Sequence, residues 1–247
     1  MVARVLRKTN KPTRWPEGLN DQFIPSGMLK NWAMPDPQRY VTWGEDFFRY
    51  TVGEWTVTKT GTGTNTLSST AGGGVLSLVN SAASGDNQFL QPVAGLPFNF
   101  TVGKYLAGRM RFQVDDATNA VVTFGLQAVN VTPLTIVNGI VISKPAAVTS
   151  FTTTVSAASV QSTTAGLNTL VAATWTEVGF VYDPRHKPAE ISFWMNGSII
   201  GTNTVTGIQP LTNAPSVQLT PTFGVQNGTA AARTMLIDSF LFTMERT

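Results

Sequence analysis

The chain has 247 residues, of which 42% are hydrophobic and only 13% are charged, whereas an average globular domain has about 25% charged residues. The absence of cysteine excludes disulfides and thiolate metal ligands, and the single histidine, His186, excludes a metal site built from several histidines. No stretch approaches the ~18 consecutive apolar residues that a membrane-spanning helix needs, so no membrane partner is expected.

The N-terminal segment differs from the rest of the chain in charge and in proline content. Residues 1–40 contain seven Lys or Arg and three Asp or Glu, a net charge of +4, whereas the rest of the chain carries a net charge of −1. Its five prolines bias the preceding residues towards extended geometry, and its apolar residues follow neither a helical nor a strand period. The sequence therefore predicts an extended arm over residues 1–44 and a β domain over residues 45–247.

The arm carries large apolar groups that a solvated linker would not need. It either folds back on its own domain or lies along another subunit. We favour the second arrangement, in which its cations meet an acidic protein surface. Nucleic acid is not the expected partner, because no stacking platform or groove-reading element accompanies the cations. The residues expected to bind the partner are Arg4, Arg7, Lys8, Lys11, Arg14, Trp15, Phe23 and Trp32.

From Tyr40 onwards, the sequence is rich in β-branched and aromatic residues separated by turn residues. No segment has the period of an amphipathic helix, so helical crossovers for a parallel sheet are missing and antiparallel strands are expected. Residues 61–65 are predicted to form a turn. The large number of short strands indicates a sandwich or a barrel. The predicted strands cover residues 49–58, 75–79, 88–90, 105–114, 120–128, 139–143, 149–157, 175–182, 190–195, 198–202, 218–225 and 234–243.

Residues 189–202 give the clearest local prediction. The dipeptide Asn196-Gly197 lies between two apolar-rich runs. Asn and Gly both tolerate the positive φ that a type I′ turn requires, so we predict a two-residue β-hairpin at this point.

This hairpin follows a predicted strand that opens with Trp175 and ends at a Tyr-Asp pair. The order of a tryptophan-opened strand, a Tyr-Asp turn and an Asn-Gly hairpin resembles the concanavalin A-like (laminin-G-like) jelly roll. Residues 235–242 are similar to the closing strand of that family, and residues 43–48 are similar to its opening strand. The resemblance implies an all-β fold, an antiparallel jelly-roll β-sandwich over residues 45–247 behind the extended N-terminal arm.

The same fold family includes glucanases, which need two carboxylates about 5–9.5 Å apart across the scissile bond. In that branch of the family the acids alternate along one strand, in a Glu-x-Asp-x-Glu pattern, and this chain has no such run. The adjacent acids Asp115-Asp116 and Glu45-Asp46 would point to opposite faces of a strand, and Asp115-Asp116 fits a turn better. We therefore predict no enzymatic activity and no catalytic residue.

Candidate oxygen ligands for a metal ion are few. Asp86-Asn87 and Asp183 are loop candidates, but calcium needs about six to eight oxygen ligands, usually with several carboxylates among them. We expect these residues to form Asx turns at strand ends, and we predict neither a metal nor a cofactor. His186 lies in a loop with two prolines, where we expect it to be exposed.

Two further features leave alternatives open. Trp175 and Trp194 lie in predicted strands, where a role in the sandwich core is favoured over a platform for sugar stacking. The almost uncharged, Thr- and Ser-rich stretch at 149–176 either pairs with neighbouring subunits through hydrogen bonds or forms a solvated strand and loop.

A cysteine-free, Thr-, Ser-, Ala- and Gly-rich jelly roll behind an extended arm resembles tailed-bacteriophage virion proteins, notably head-decoration (cement) proteins and tail or fibre appendages. The resemblance implies a non-enzymatic structural protein on the capsid exterior, made in the host cytoplasm. The arm would anchor it to the major capsid protein or other virion subunits, and self-association into a dimer or trimer is expected. The alternative is a carbohydrate-binding module of a tail fibre or spike that recognises a host surface glycan. A third interpretation is a glycan hydrolase on the same fold.

Overall fold

The computed structural model describes residues 40–68, 74–93, 98–101, 103–184, 190–204 and 217–246. They form fifteen β-strands and a short 3₁₀ turn at Val52–Glu54. No helical segment in these ranges has the length and hydropathy needed to cross a bilayer. The strands are β1 (Tyr40–Glu45), β2 (Trp55–Thr60), β3 (Thr64–Leu67), β4 (Leu76–Val79), β5 (Asn87–Pro92), β6 (Leu106–Val114), β7 (Ala120–Gln127), β8 (Gly139–Lys144), β9 (Ser150–Ala157), β10 (Val160–Thr169), β11 (Thr176–Asp183), β12 (Glu190–Met195), β13 (Ser198–Thr204), β14 (Thr220–Asn227) and β15 (Thr234–Glu245).

The strands form two antiparallel sheets with the hydrophobic core between them. The first sheet has seven strands in the order β10-β9-β8-β7-β14-β5-β2. The second has eight strands, in the order β13-β12-β11-β6-β15-β4-β3, with β1 paired to the later part of β15. The predicted all-β, antiparallel jelly-roll sandwich is confirmed.

The first strand lies within the predicted arm. β1 pairs with β15 from Tyr40 opposite Glu245 to Glu45 opposite Phe240. Trp43 packs on the Phe240 ring, with the centroids 4.7 Å apart, and this contact joins β1 to the core. Residues 40–44 therefore belong to the sheet. Residues 1–39 lie outside the described part of the chain, so the extended arm itself stays a prediction.

The core is filled from alternate positions of the strands, as the pleat of a β-strand requires. In β6, for example, Phe112 lies in the core while the neighbouring Arg111 points outwards. Aromatic rings from the two sheets meet at the centre, where Phe124 of β7 stacks on Phe242 of β15 with the centroids 5.3 Å apart. The sandwich is thus held by large rings in direct contact across the two layers.

The predicted hairpin is confirmed. β12 pairs with β13, and the connecting residues Asn196 and Gly197 have φ values of 48° and 81°. The Oδ1 atom of Asn196 also accepts a hydrogen bond from the backbone N–H of Glu177, at 2.8 Å, so the turn is attached to β11.

A buried polar cluster joins the two sheets. Asn80 directly follows β4 of the eight-stranded sheet, and its Nδ2 atom donates to the backbone oxygens of Asp86 and Val225, both at 3.1 Å. The same atom lies 3.1 Å from Oδ1 of Asn227, which is on β14 of the seven-stranded sheet. Asn227 in turn donates to the backbone oxygen of Ala83 at 2.9 Å. Side chains therefore satisfy buried backbone groups of β14 and of the loop before β5.

Candidate functional site

The outer face of the seven-stranded sheet is polar and buried. Thr220 and Thr222 alternate along β14 with the core residues Phe223 and Val225, so the threonines point away from the core. Neighbouring strands present hydroxyl and amide side chains on the same face, and each of them is at most 4% exposed. The apolar side chains of Phe89 and Val141 lie among these polar groups. We call the polar members the amide–hydroxyl face: Gln91, Thr123, Gln127, Thr154, Ser156, Thr220 and Thr222.

The loop over residues 128–138, between β7 and β8, covers one end of this face. The Nε2 atom of Gln127 donates to the backbone oxygen of Pro133 at 3.0 Å. From the loop, the backbone N–H of Asn130 donates to Oε1 of Gln91 at 3.3 Å. The loop is therefore attached to the amide–hydroxyl face by polar contacts and accounts for part of its burial.

Two buried polar atoms on this face have no hydrogen-bond partner among the described residues: Oε1 of Gln127 and Oγ1 of Thr220. The two residues lie directly opposite each other on β7 and β14. The next pair is satisfied, since Nε2 of Gln91 donates to Oγ1 of Thr222 at 2.7 Å. An unpartnered buried polar atom costs about 1–3 kcal/mol. Gln127 and Thr220 therefore offer an acceptor and a hydroxyl group to a water molecule or to a polar group of a ligand.

The described carboxylates lie away from this face. None of the strands of the seven-stranded sheet contains Asp or Glu. Asp115 and Asp116 lie in the turn between β6 and β7, as predicted, and Glu45 is in β1 of the other sheet. Burial, followed by the charge of Glu54, raises the pKa of Glu45. The seven-stranded sheet thus presents no pair of carboxylates for glycoside hydrolysis. That the protein is not an enzyme stays a prediction.

Lys144, at the end of β8, is a fully buried lysine whose Nζ atom donates to three backbone oxygens. These are the oxygens of Ala117, Thr118 and Val148, at 2.8, 2.9 and 3.2 Å. Burial lowers the pKa of Lys144 to about 8, against the opposing effect of the negative charge of Asp116. Its ammonium group closes the turn between β6 and β7 and has no access to a substrate.

Asp116 organises the same turn from the other side. Its Oδ1 atom accepts hydrogen bonds from the backbone N–H groups of Thr118 and Asn119, at 2.8 and 2.9 Å, and its Oδ2 atom lies 3.0 Å from Arg233. Although burial raises the pKa of Asp116, the hydrogen bonds from Asn119 and Thr118 and the charge of Arg233 bring it below its usual value. These contacts make Asp116 a structural residue.

The candidate metal ligands stay apart. Oδ2 of Asp86 accepts hydrogen bonds from the hydroxyl of Ser81 and the backbone N–H of Ala83, so its carboxylate is used inside its own loop. Asp183 is the last residue of β11. In the part of the chain that the structure describes, no three His, Cys, Asp or Glu side chains converge on one point. His186 lies outside that part, and the absence of a metal or cofactor stays a prediction.

The outer face of the eight-stranded sheet carries an apolar cluster where β1 begins. The ring of Tyr40 packs edge-on against Tyr105, with the centroids 6.2 Å apart. Trp194 lies on this face because it alternates with the core residues Phe193 and Met195. Since Tyr40 directly follows residues 1–39, the cluster lies where the predicted arm joins the domain. We call it the aromatic patch: Tyr40, Tyr105, Ala107, Val181, Trp194 and Leu241.

The prediction that Trp175 and Trp194 fill the core is wrong. The pleat of β12 directs Phe193 and Met195 inwards and Trp194 outwards, into the aromatic patch. Trp175 precedes β11 and is half-buried, with the guanidinium of Arg111 lying 4.7 Å from its ring centroid. Both tryptophans therefore belong to the outer surface of the eight-stranded sheet.

The residues predicted to bind a partner through the arm all lie outside the described part of the chain. They are Arg4, Arg7, Lys8, Lys11, Arg14, Trp15, Phe23 and Trp32. The amide–hydroxyl face, by contrast, was not predicted. The alternation of Thr220 and Thr222 with Phe223 and Val225 is the sequence signal that points to it.

The two antiparallel sheets form a jelly-roll sandwich whose structural neighbours are lectins and a glucanase. No protein-family profile and no curated protein matches the sequence. Solved structures do match. An endo-1,3-beta-glucanase from Streptomyces sioyaensis has a TM-score of 0.59 and 14% identity, over 85% of this chain and 98% of that one. Peanut lectin has a TM-score of 0.56 and 14% identity, over 84% and 99%.

The carbohydrate recognition domain of Emp47p is similar to the same extent, with a TM-score of 0.55 and 11% identity over 84% of this chain and 98% of that domain. At such low identity these likenesses show the fold alone. The fold is thus shared by binding proteins and by an enzyme, and the function has to be argued from the surfaces of this chain.

Proposed function

We propose that the chain is a non-enzymatic structural protein of a virion exterior, which decorates or cements a capsid and is anchored by its N-terminal arm. The observation that carries the proposal is the junction between arm and domain. The basic, aromatic-bearing segment of residues 1–39 leads directly into Tyr40, which lies in the aromatic patch. A basic segment with large apolar residues that enters the domain at an aromatic cluster suits attachment to a neighbouring protein subunit.

The placement of charge supports a structural role over a catalytic one. The arm carries the positive balance of the whole chain, and the strands of the seven-stranded sheet carry no carboxylate. A neutral domain with a basic tether can pack among many copies of itself without mutual repulsion, while each tether binds an acidic surface.

Deletion of residues 1–39 tests the anchoring. Because β1 starts at Tyr40, the 40–247 chain should keep its far-UV circular dichroism and unfold at a similar temperature, but its copy number on purified particles should fall by about tenfold or more. The copy number is measured by quantitative mass spectrometry of particles grown with either version. Undiminished incorporation of the shortened chain would show that the arm is not the anchor.

Two arm variants separate charge from apolar contact. In one, the five cations Arg4, Arg7, Lys8, Lys11 and Arg14 become alanine. In the other, Trp15, Phe23 and Trp32 become alanine. If the arm meets an acidic protein surface and buries its rings there, both variants should be incorporated less than the wild type. Added salt should lower the incorporation of the wild type in the same way as the loss of the five cations, because salt screens their attraction to the acidic surface. Salt should not reproduce the effect of losing the three rings.

The second candidate function is binding of a neutral carbohydrate, and one specific observation favours it. The unpartnered Oε1 of Gln127 and Oγ1 of Thr220 lie on a face lined with amides and hydroxyls. The charged residues on the strands of this sheet are Lys59 and Lys144. Sugar hydroxyls both donate and accept hydrogen bonds, so they complement such a pair. Because the loop over residues 128–138 covers this end of the face, a sugar reaches the two buried atoms only when the loop moves aside. The lectins with this fold show that it can carry a carbohydrate site, but their likeness to this chain is one of fold and says nothing about its ligand.

A glycan array distinguishes the two candidates. A glycan-binding protein should give hits that weaken about tenfold in Thr220→Val, which removes the unpartnered hydroxyl at constant shape. Thr66→Val, at an exposed threonine of β3 in the eight-stranded sheet, is the matched control and should leave binding unchanged. An array without specific hits for the full chain removes the carbohydrate interpretation and leaves the structural one standing.

A further inference from the structure

Among the described strands, β10 is an edge strand of the seven-stranded sheet, because it pairs only with β9. The two are joined by a two-residue turn at Ala158 and Ser159, both at positive φ, with Val160 opposite Ala157. In such a hairpin the two residues that flank the turn, Ala157 and Val160, form hydrogen bonds with each other. Hydrogen-bonded and non-hydrogen-bonded pairs then alternate along the strands, so Val160, Ser162 and Thr164 bond to β9. The N–H and C=O groups of Gln161 and Thr163 therefore point away from β9, towards the open edge.

The first half of this edge, residues 160–164, lacks the features that usually prevent strands from pairing with other chains. Such features are lysines, prolines, bulges and short length. β10 spans ten residues without a charged residue or a proline. Its register is regular from Val160 to Thr164, and the irregularities come only after Thr164. Residues 160–164 thus present a flat, uncharged strand that is ready to accept another strand.

The adjoining edge of the other sheet is uncharged as well. β13 lies next to β10: a Cβ atom on Gly201 would come within 3.1 Å of Cδ1 of Leu167. The β13 sequence contains no charged residue, and Ile199 is 53% exposed, while Val160 at the start of β10 is 58% exposed. We call β10 and β13 together the neutral edge. The cores of protein interfaces are depleted of charged residues, and an edge of two strands without charge is compatible with such a contact.

We propose that a second copy of this chain pairs with β10 in antiparallel fashion, joining two seven-stranded sheets into one continuous sheet. A strand that pairs with itself forms an isologous two-fold contact, in which every residue must tolerate its own counterpart. β10 meets this condition because it brings no like charges together. With the two-fold axis at Thr163, the outward backbone groups of Thr163 meet those of the other copy's Thr163, and threonine side chains opposite each other stabilise antiparallel pairs.

The pairing does not depend on the virion proposal, since it concerns the isolated full chain and leaves the arm free. It also selects between the two interpretations of the Thr- and Ser-rich stretch at 149–176, because that stretch contains β9 and β10. A dimer built in this way would carry two arms, so attachment to a particle would become bivalent.

Sedimentation equilibrium of the full chain tests the proposal. The protein should be a dimer, and Thr163→Lys should weaken the dimer about tenfold or more, because it places two like charges across the two-fold axis. Thr56→Lys is the matched control, since Thr56 is an exposed threonine on β2, the opposite edge strand of the same sheet, and this variant should leave the mass unchanged. A wild-type monomer, or a dimer that Thr163→Lys does not weaken, overturns the proposal.

Hydrogen exchange supplies a readout that needs no variant. The backbone N–H groups of Gln161 and Thr163 should exchange slowly at high protein concentration and quickly on dilution, whereas those of Ser162 and Thr164, which face β9, should be protected at both. Rapid exchange at Gln161 and Thr163 in a dimeric sample would place the dimer contact elsewhere and contradict the pairing.

Discussion

Replacing Asn80 with leucine is expected to lower the free energy of unfolding by about 3–5 kcal/mol, because it leaves several buried polar groups without a partner. The backbone oxygens of Asp86 and Val225 each accept a hydrogen bond from the Asn80 amide, and the Oδ1 atom of Asn227 lies equally close. Each buried group that loses its partner costs about 1–3 kcal/mol. The loss is expected to be large because Asn80, which follows β4 of the eight-stranded sheet, bonds in this way to groups of the seven-stranded sheet.

Urea unfolding followed by circular dichroism measures this effect. Asn87→Leu is the matched control, since Asn87 is only partly buried and bonds to Thr60 and Gly85, where water can replace it. We expect that control to cost less than about 1 kcal/mol. Similar small losses for Asn80→Leu and Asn87→Leu would show that the Asn80 cluster is not a principal connection between the sheets.

The stability of the protein is expected to rise with pH between about 8 and 10.5, on account of Lys144. Burial lowers the pKa of this lysine from 10.5 to about 8 in the folded chain. In that window the unfolded chain binds the proton and the folded chain has released it, so a higher pH favours folding. Across the whole window the gain amounts to about 3 kcal/mol.

The measurement compares the unfolding free energy of the wild type and of Lys144→Met at several pH values from 7 to about 10.5. The difference between the two proteins isolates Lys144 from the tyrosines and other lysines that titrate in the same range. The wild type should gain stability relative to the variant as the pH rises. Parallel profiles would mean that the three backbone oxygens around Nζ hold the pKa of Lys144 near its ordinary value.

Much of the fold could be predicted because local patterns and tertiary contacts agree. Asn196-Gly197 specifies its turn through the φ values that these two residues tolerate, so the hairpin was predictable without knowledge of the rest of the chain. The strands β6 and β15 were also predictable, since each has one face in the core and one on the surface. A strand with one buried and one exposed face alternates apolar and polar residues, and this alternation is visible in the sequence.

The errors occur where a strand lacks this contrast. β10 is exposed along most of its length, and so are most residues of β3, whose first two residues fell in the predicted turn at 61–65. Neither strand has an apolar face that would reveal it. In β12 the error had another source. The polar residues Glu190 and Ser192 share a strand face with Trp194, so the period of two places this tryptophan outside. The apolar run that ends the strand obscured this alternation, although the signal is present in the sequence.

The candidate site was hardest to predict because its parts are distant in sequence. Gln91, Gln127 and Thr220 come from three strands that are neighbours only in the folded sheet. Each of them, taken alone, is indistinguishable from an exposed polar residue. Their burial follows from the register of β5, β14 and β7 and from the loop over residues 128–138, and none of these is encoded locally.

The position of β15 constrains how the chain can acquire its structure. This strand pairs with β6, β4 and β1, and thus lies inside the eight-stranded sheet, yet it follows the other fourteen described strands in the sequence. While the ribosome is still translating those earlier strands, β1 lacks its partner among the described strands and β6 lacks one of its two. The eight-stranded sheet must therefore wait for β15 to emerge, and until then its unpaired edges are open to association with other nascent chains.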